Sequence, residues 1–353
     1  MSEQKTRRQT VIDAITHSGG AGGAGGAGGA AAGAARVPHN IELTTELFEK
    51  FCLETKIAKE DYFEYARNHI EKVRYTERGE YIKPGYFRDE FGVVWNRSGV
   101  DKDIGVLDDL VFNEPEFGSF VFPEPDLDLV RRNTKALLAN GRDTFKIGQI
   151  GFSYFERAWS MRGFENLLMD FISDEDFVEA LFAKILAYNK KILATALEYD
   201  IDGFYFGDDY GSQRGLIMGP AAWRRFIKPG LAEMFQMVKA KGKFVLFHSC
   251  GDISDILEDM IEIGLDVYQT VQPEIYDLRA LKQKFRGRLT FWGAISTQQD
   301  MPFVTPAELQ KIVRDTIEIL ADGGGYIAAP THAVPADVPV ENIVAMIEEL
   351  KRH

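Results

Sequence analysis

The chain has 353 residues, 45% of them hydrophobic, so it can bury either two ordinary cores or the core of one large α/β barrel. Its 41 basic and 54 acidic residues give a formal net charge of −13, which argues against a nucleic acid or an anionic membrane as the main partner. Only two cysteines occur and no run approaches the roughly 18 apolar residues of a membrane span, so we expect a cytoplasmic protein without disulfides.

The N-terminal region is expected to precede the folded domain. Val11, Ile12 and Ile15 have helical spacing and predict a helix within residues 6–17. The segment 19–35 consists of glycine and alanine alone, a composition that cannot bury a core and is typical of a flexible linker. We therefore predict an N-terminal helix and Gly/Ala-rich segment over residues 1–36 and one folded domain over residues 37–353.

The first part of that domain gives a mixed pattern. The sequence VPHNIEL, Val37 to Leu43, predicts the first strand, and the helix that follows it contains Cys52. Between Asp61 and Pro125 aromatic and charged residues alternate irregularly with Gly and Pro. The segment DEFGVVWNRSG, from Asp89, predicts a short strand with a turn, as a lid or an edge.

From residue 144 onward, strand and helix patterns alternate regularly. The predicted strands begin at Thr144, Gly203, Lys243, Asp266, Leu289 and Tyr326, and each precedes a helical pattern. Such units require a parallel sheet. With the first strand and an eighth near Val93 or Val111, they predict a closed (β/α)8 TIM barrel; an open doubly wound sheet usually has a Gly-rich first turn, which is missing here.

The stretch KFVLFHSCGD, Lys243 to Asp252, combines a strand with potential metal ligands. It is apolar on both faces until its carboxyl end, which is typical of a parallel strand that is covered on both sides. His248 and Cys250 are two residues apart and therefore lie on one face, where an imidazole and a thiolate suit zinc. The alternative is a buried histidine beside an inert cysteine.

In an α/β barrel the active site lies at the carboxyl ends of the strands. The polar residues predicted at those ends are Glu42, Gln149, Asp208, Asp209, His248, Cys250, Gln269, Gln272, Ser296 and His332. Neighbouring strand residues point in opposite directions, so one of Asp208 and Asp209 is expected to face the site while the other caps a loop. A carboxylate there can act as a general acid or base.

His332 ends the last predicted strand, in the sequence APTHAVPADVP. In a closed barrel it can reach the other strand ends, so His248, Cys250 and His332 would form a three-ligand site with an open fourth position, as in a catalytic zinc centre. The alternative is that His332 binds substrate through a hydrogen bond and that no metal is present.

Four segments resemble the uroporphyrinogen decarboxylase superfamily, and more closely its cobalamin-dependent methyltransferase branch. They are GFYFGDDYGSQRGLIMGPAAWRRFIKP, FHSCGDISDILEDMIEIGLDVYQTVQPE, LTFWGAIS and GGYIAAPTHAVPADVPVEN. The resemblance covers roughly residues 36–352 and implies a (β/α)8 barrel.

The resemblance also implies a zinc site. In such methyltransferases a His-x-Cys pair and a later cysteine hold zinc, and these positions fall on His248, Cys250 and His332. An imidazole in place of the last thiolate leaves the ion more electrophilic and less suited to a strongly nucleophilic bound thiolate. The first predicted strand, RVPHNIELTTELFEKF, lacks the arginines by which the decarboxylases bind substrate carboxylates, which argues against uroporphyrinogen as the substrate.

The sequence therefore predicts a zinc-assisted methyltransferase that works with a separate corrinoid protein, on a small molecule, with tetrahydrofolate as one candidate acceptor or donor. Catalytic roles fall to Asp208 and His248. Substrate-binding roles fall to Glu42, Gln149, Asp209, Gln269, Gln272 and Ser296. Two alternatives stay open, namely a metal-free decarboxylase that uses Asp208 and His332 for proton transfer, and a non-catalytic barrel that binds a tetrapyrrole or a corrinoid protein. A homodimer also stays open.

Overall fold

The computed structural model describes residues 5–18, 36–76, 78–99 and 104–353. Within these ranges the strands are β1 (Ile70–Arg74), β2 (Gly79–Lys83), β3 (Tyr86–Asp89), β4 (Val94–Asn96), β5 (Val106–Asp109), β6 (Phe145–Ile150), β7 (Gly203–Gly207), β8 (Gly211–Ser212), β9 (Gly215–Leu216), β10 (Phe244–His248), β11 (Val267–Val271), β12 (Thr290–Ile295) and β13 (Tyr326–Pro330). The α-helices are α1 (Arg7–Ile15), α2 (Thr45–Thr55), α3 (Tyr62–Ala66), α4 (Leu127–Ala139), α5 (Phe155–Arg162), α6 (Phe164–Ser173), α7 (Glu175–Ala196), α8 (Gly219–Ala222), α9 (Lys228–Lys239), α10 (Leu257–Glu262), α11 (Leu278–Phe285), α12 (Pro306–Leu320) and α13 (Val340–Leu350).

The described chain divides into two compact units. The first comprises Met1–Glu71, Gly141–Lys146 and Asp266–His353, and the second comprises Lys72–Asn140 and Ile147–Leu265. All six strands predicted from residue 144 onward are present as β6, β7, β10, β11, β12 and β13. The alternation of apolar runs and helical patterns was therefore a reliable guide to this part of the chain.

Parallel strands form the core of the second unit. β7 pairs in parallel with β6 and with β10, with Gly203 opposite Phe244 and Gly207 opposite His248. Val245, Leu246 and Phe247 of β10 are fully buried, as expected for a strand that is covered on both faces. Burial of each such side chain contributes roughly 1.5–3 kcal/mol.

The first unit repeats this arrangement. β12 pairs in parallel with β11 and with β13, and all three strands are buried along their whole length. Helix α12 begins at Pro306 because Thr305 caps it and forms a reciprocal capping box with Glu308.

The prediction of a strand over Val37 to Leu43 was wrong, because this segment does not form the continuous hydrogen bonds of a strand. The segment makes only isolated parallel bridges, from His39 to Ala328 and from Leu43 to Val334. At Ile41 the side chain of Asn68 replaces a neighbouring strand, because it accepts from the Ile41 amide at 2.9 Å and donates to the Ile41 carbonyl at 3.0 Å. Side-chain amides compete with sheet hydrogen bonds in this way.

The predicted eighth strand near Val93 or Val111 does not join the parallel strands. Val93 precedes β4, which belongs to a four-stranded antiparallel sheet in the order β2-β3-β4-β5, and Val111 lies outside the strands. The prediction of a short strand with a turn from Asp89 is confirmed by β3 and β4, which pair antiparallel. The sequence did not predict β1, because IEKVR is only partly buried and lacks an apolar run.

The protein thus has an α/β fold with parallel strands, as predicted. Helix α1 lies within the N-terminal helix predicted from the sequence, and the Gly/Ala segment 19–35 lies outside the described residues. Among the helices that the structure describes, none combines the length and the apolar character that crossing a membrane requires.

Candidate metal centre and active site

The candidate site lies where β7 and β10 end side by side. Their pairing continues past the strands, since the Asp208 amide donates to the His248 carbonyl at 3.0 Å. Because parallel strands carry their carboxyl ends at one edge, this register places the Asp208–Asp209 pair beside His248 and Cys250. The second unit alone supplies all of these residues.

Asp209, His248 and Cys250 bring three different ligand atoms together. One carboxylate oxygen, one imidazole nitrogen and the thiol sulfur all lie within 4.8 Å of one another. The His248 Nε2 atom lies 3.3 Å from Asp209 Oδ1 and 3.6 Å from Cys250 Sγ. Nitrogen, sulfur and carboxylate oxygen are the ligands that zinc takes in proteins, so this set fits zinc. Asp209 was predicted to bind substrate and not metal.

Backbone packing fixes the position of Cys250. Its amide donates to Asp209 Oδ1 at 2.8 Å, and its carbonyl accepts from the Gly211 amide at 3.2 Å. The β8–β9 hairpin packs against the loop after Cys250 so closely that a Cβ at Gly211 would lie 2.5 Å from the Gly251 carbonyl carbon. Glycine is therefore required at residue 211.

Asp208 and Asp209 face different partners. Asp208 is fully buried and its two oxygens accept from the Phe155 amide at 2.8 Å and the Glu156 amide at 2.6 Å, at the start of α5. A carboxylate at a helix N-terminus satisfies amides that lack partners within the helix. Burial raises the pKa of Asp208 to about 7, against the opposing effect of these hydrogen bonds.

Glu156 is a residue of this site that the sequence did not reveal. It lies in the first turn of α5, and its carboxylate interacts electrostatically with Asp209, Asp208, His248 and Cys250. Burial, followed by the charges of Asp209 and Asp208, raises its pKa well above the ordinary value. It was overlooked because residues 151–163 carried no predicted element and because the groups that act on it lie more than 50 residues away in the sequence.

The imidazole of His248 favours its protonated form in the protein without metal. Burial acts against the charge, but Tyr205, Cys250 and the hydrogen bond to Asp209 together raise the pKa of His248 well above its ordinary value. The Tyr205 ring centre lies 6.4 Å from that of His248. A metal ion has to displace this proton, because histidine binds metals as the neutral imidazole.

Three aromatic side chains form a cluster that includes one residue of α5. The ring centres of Trp95, Phe152 and Trp159 lie 5.3–6.4 Å apart. Trp159 lies three residues after Glu156 on α5, so the two side chains share one face of that helix. Phe152 and Trp159 are only partly buried.

The remaining predicted site residues also follow strands. Gln149 lies in β6 of the second unit, and its Oε1 atom is buried. The other predicted site residues belong to the first unit. Glu42 accepts from Asn40 Nδ2 at 3.1 Å, and Ser296 donates to Glu274. Gln269 and Gln272 are buried, whereas the side chain of His332, which follows β13, is exposed. The roles given to these residues, including His332 as a metal ligand, stay predictions.

Comparison with known proteins agrees with this architecture. A family model described as Uroporphyrinogen decarboxylase (URO-D) matches residues 125–353. A methyltransferase from Methanosarcina mazei has a similar structure, with a TM-score of 0.71 and 16% identity over 99% of each chain. A GH10 endo-β-1,4-xylanase from Gloeophyllum trabeum is more distant, with a TM-score of 0.38 and 11% identity over 68% of this chain and 84% of the xylanase. No curated protein sequence matches the chain.

Proposed function

Because the chain belongs to the uroporphyrinogen decarboxylase family, we propose that it is a zinc-assisted methyltransferase that moves a methyl group between a corrinoid protein and a small molecule. The observation that carries this proposal is the Asp209–His248–Cys250 group at the adjoining ends of β7 and β10. The similar fold of the Methanosarcina methyltransferase supports it. We extend the fold proposal accordingly to a closed (β/α)8 barrel over residues 37–353.

His248 and Cys250 would hold zinc in this enzyme, with Asp209 or the predicted His332 as the third protein ligand. Bound zinc would supply Lewis acidity to a substrate atom. The chain's own residues orient and protect that atom. Asp208 fastens the start of α5 through two short hydrogen bonds, and thereby fixes Glu156 beside the metal ligands. Gln149, Glu42, Gln269, Gln272 and Ser296 are proposed substrate contacts.

The partner in this proposal is a separate corrinoid protein, and tetrahydrofolate is a candidate small-molecule acceptor or donor. A cytoplasmic location and a homodimer are part of the same proposal. Methylcobalamin is a convenient stand-in for the corrinoid protein, because its spectrum changes when it loses its methyl group.

Metal analysis combined with a methylcobalamin assay tests the proposal. We expect about one zinc per chain, a loss of zinc in Cys250→Ala, and demethylation of methylcobalamin by the wild type when an acceptor is present. Asp209→Asn and His332→Gln, measured side by side, identify the third ligand by which of them weakens zinc binding. Unchanged zinc content in Cys250→Ala would contradict the metal site.

The runner-up is a metal-free decarboxylase, and the raised pKa of Asp208 is the observation that favours it. A carboxyl group with a pKa of about 7 can donate a proton near neutral pH. This alternative predicts release of CO₂ from an acidic substrate by the metal-free protein and full activity in Cys250→Ala. The methyltransferase proposal predicts neither.

A further inference from the structure

A gap in the packing of side chains lies beside the candidate metal ligands. Gly207 is the last residue of β7, it is buried, and in the parallel pairing it lies opposite His248. Apart from its chain neighbours, a Cβ atom at Gly207 would have only two heavy atoms of the described residues within 4 Å. These are the Gly151 Cα atom at 3.6 Å and the Ile150 carbonyl oxygen at 4.0 Å, both ordinary van der Waals distances. The space is therefore large enough for at least a methyl-sized group.

The glycine at the other end of β7 is different. A Cβ atom at Gly203 would lie 2.7 Å from the Phe244 carbonyl oxygen and 2.9 Å from Leu246 Cδ1, so neighbouring atoms already occupy the place of a side chain there. Gly207 has no such neighbours, and its φ angle lies outside the left-handed region that favours glycine. Neither packing nor backbone conformation requires glycine at residue 207. A glycine within a strand can instead mark a place where a ligand approaches closely.

The gap lies on the side of β7 that carries the candidate metal ligands. Residues two apart in a strand share a face, so Tyr205, Gly207 and Asp209 lie on one side. The Tyr205 ring centre lies 6.4 Å from that of His248, as expected for that side. On β6, Gln149 is in register with Tyr205 and is directed to the same face.

Gln149 can offer a hydrogen-bond acceptor to the gap. Its side chain is 7% exposed, and its Oε1 atom is buried without a hydrogen-bond partner among the described residues. Gln149 lies two residues before Gly151, about 6.6 Å along the chain, so its side chain can reach the gap. A buried acceptor without a partner costs about 1–3 kcal/mol, which a donor on a bound molecule would offset.

The nearby ammonium group does not fill this space. Lys72 Nζ lies 5.4 Å from the centre of the Tyr205 ring, and Lys72 is not among the residues that a Cβ atom at Gly207 would meet. The gap thus combines room for a small group with an acceptor that lacks a donor. Both lie in the second unit, which also holds Asp209, His248 and Cys250.

We propose that the gap at Gly207 receives the methyl-bearing end of the small-molecule substrate, and that Gln149 accepts a hydrogen bond from a hydroxyl or N–H group of that substrate. This inference rests on the proposed methyltransferase function and names its substrate class, a small molecule with a hydrogen-bond donor close to its methyl group. Gly207 is then a specificity-determining residue, because a side chain at this position would fill the space.

A cysteine placed in the gap tests whether small molecules enter it. In the full chain with Cys52→Ala and Cys250→Ala, Gly207→Cys supplies the only thiol. We expect methyl methanethiosulfonate to label it at least ten-fold faster than a polymer-linked methanethiosulfonate, after each rate is divided by that of Gln213→Cys, an exposed control. No labelling of the folded variant, or equal relative rates for the two reagents, would overturn the proposal.

Gly207→Ala guards against an ambiguous result. It adds one atom at ordinary contact distances, so we expect its melting temperature to stay within a few degrees of the wild type. A loss of the folded state in Gly207→Ala would show that the space is closed, and would overturn the proposal even if Gly207→Cys could not be purified.

Disulfide exchange at the introduced thiol tests the hydrogen bond. The Gly207→Cys protein is equilibrated with equal concentrations of bis(2-hydroxyethyl) disulfide and dipropyl disulfide, whose halves have nearly the same shape and end in a hydroxyl or a methyl group. Mass spectrometry is expected to show at least five-fold more hydroxyethyl than propyl adduct, relative to Gln213→Cys. An equal ratio, or an excess of the propyl adduct, would contradict the substrate class.

A second substitution tests the assignment to Gln149. Gln149→Leu in the Gly207→Cys protein is expected to abolish the preference for the hydroxyethyl adduct. The matched control is Gln236→Leu, which replaces an exposed glutamine on α9 and should keep the preference. A preference that survives in Gln149→Leu would refute the role of this residue.

None of these measurements needs zinc, so they separate this inference from the proposed function. If the wild type binds no zinc but the introduced thiol shows both preferences, the metal proposal fails and the substrate site stands. If the wild type binds zinc and the introduced thiol is unreactive, the substrate site fails and the metal proposal stands.

Discussion

Asp208 is the most constrained side chain of the candidate site. It is fully buried, and it satisfies two amides at the start of α5 that have no acceptors within the helix. Its neighbour Asp209 instead faces His248 and Cys250. Alternation of side-chain direction separates the two roles, and the sequence predicted this separation without showing which residue takes which partner.

Replacement of Asp208 by alanine should therefore reduce stability as well as activity. The amides of Phe155 and Glu156 would lose their acceptor, and we expect a loss of about 2 kcal/mol in the free energy of unfolding. Urea denaturation measures it. Asp126→Ala removes the partly exposed cap of α4, where Asp126 accepts from the Leu129 amide at 2.8 Å, and should cost less. Equal effects would show that burial adds nothing at Asp208.

His39 and His69 make stability depend on pH. Burial lowers the pKa of His39 to about 4, and burial together with the charge of His39 lowers the pKa of His69 to about 2. Their rings lie 4.6 Å apart, and the His39 Nε2–Ala66 O distance is 2.9 Å. Both histidines are therefore neutral in the folded protein at mildly acidic pH, whereas in the unfolded chain they take up protons below about pH 6.5.

Acidification should consequently destabilise the fold. Since the unfolded state binds more protons below pH 6.5, each histidine should lower the free energy of unfolding by up to about 1.4 kcal/mol per pH unit as the pH falls towards the folded pKa. Urea midpoints at pH 7.5, 6.0 and 5.0 measure this slope. His69→Asn keeps a polar group and should flatten it. An identical slope in wild type and variant would contradict the assignment.

At the scale of elements, the β8–β9 hairpin controls the geometry of the metal ligands. The Asp252 amide donates to the Ser212 carbonyl at 2.8 Å, and a Cβ at Gly211 would overlap backbone atoms of residues 250–252. Because backbone atoms cannot move aside cheaply, any side chain at residue 211 displaces the Cys250 loop.

Gly211→Ala should therefore weaken zinc binding at least ten-fold while the helix content stays unchanged. Competition with a chromophoric chelator measures the affinity, and circular dichroism checks the fold. Gly151→Ala is the matched control, since no atom lies within 4 Å of a Cβ at that residue. Normal zinc affinity in Gly211→Ala would mean that the hairpin does not position Cys250.

Elements differ in how clearly the amino-acid sequence encodes them. Strands β7, β10 and β13 were predictable because both faces are buried, which leaves a continuous apolar run. β1 was not predictable, because it is partly exposed and lacks a continuous apolar run. The structure of segment 37–43 was not predictable either, because its backbone bonds to the side chain of Asn68 instead of to a neighbouring strand. Glu156 was missed because its importance comes from groups more than 50 residues away, which no local pattern encodes.

At the scale of the whole molecule, zinc binding should stabilise the folded protein. A ligand that binds the folded state alone adds about 2.7 kcal/mol at a free concentration of 100 times its Kd. We therefore expect the melting temperature to rise by a few degrees on addition of zinc to the wild type, and a chelator to reverse the rise. Scanning calorimetry measures both. Cys250→Ala should show no rise, and a full rise in that variant would place the ion elsewhere.

The residues matched by the family model are those in which strands and helices alternate most regularly. The family model covers residues 125–353, where strand and helix alternate most regularly, and begins after the antiparallel sheet β2-β3-β4-β5. That sheet contributes Trp95, whose ring centre lies 5.3 Å from that of Phe152 in the loop between β6 and α5. A part of the chain outside the matched region therefore packs against the loop that precedes α5.

The neighbouring carboxylates Asp208 and Asp209 also limit how this protein can change. Insertion or deletion of one residue between β7 and Asp208 would exchange the directions of the two side chains. The amides at the start of α5 would then lose the Asp208 carboxylate, and His248 and Cys250 would lose the Asp209 carboxylate. Evolution and protein engineering are therefore expected to leave the length of this segment alone. Length variation should instead accumulate at the exposed tip of the hairpin, Gln213 and Arg214, two residues whose side chains face solvent.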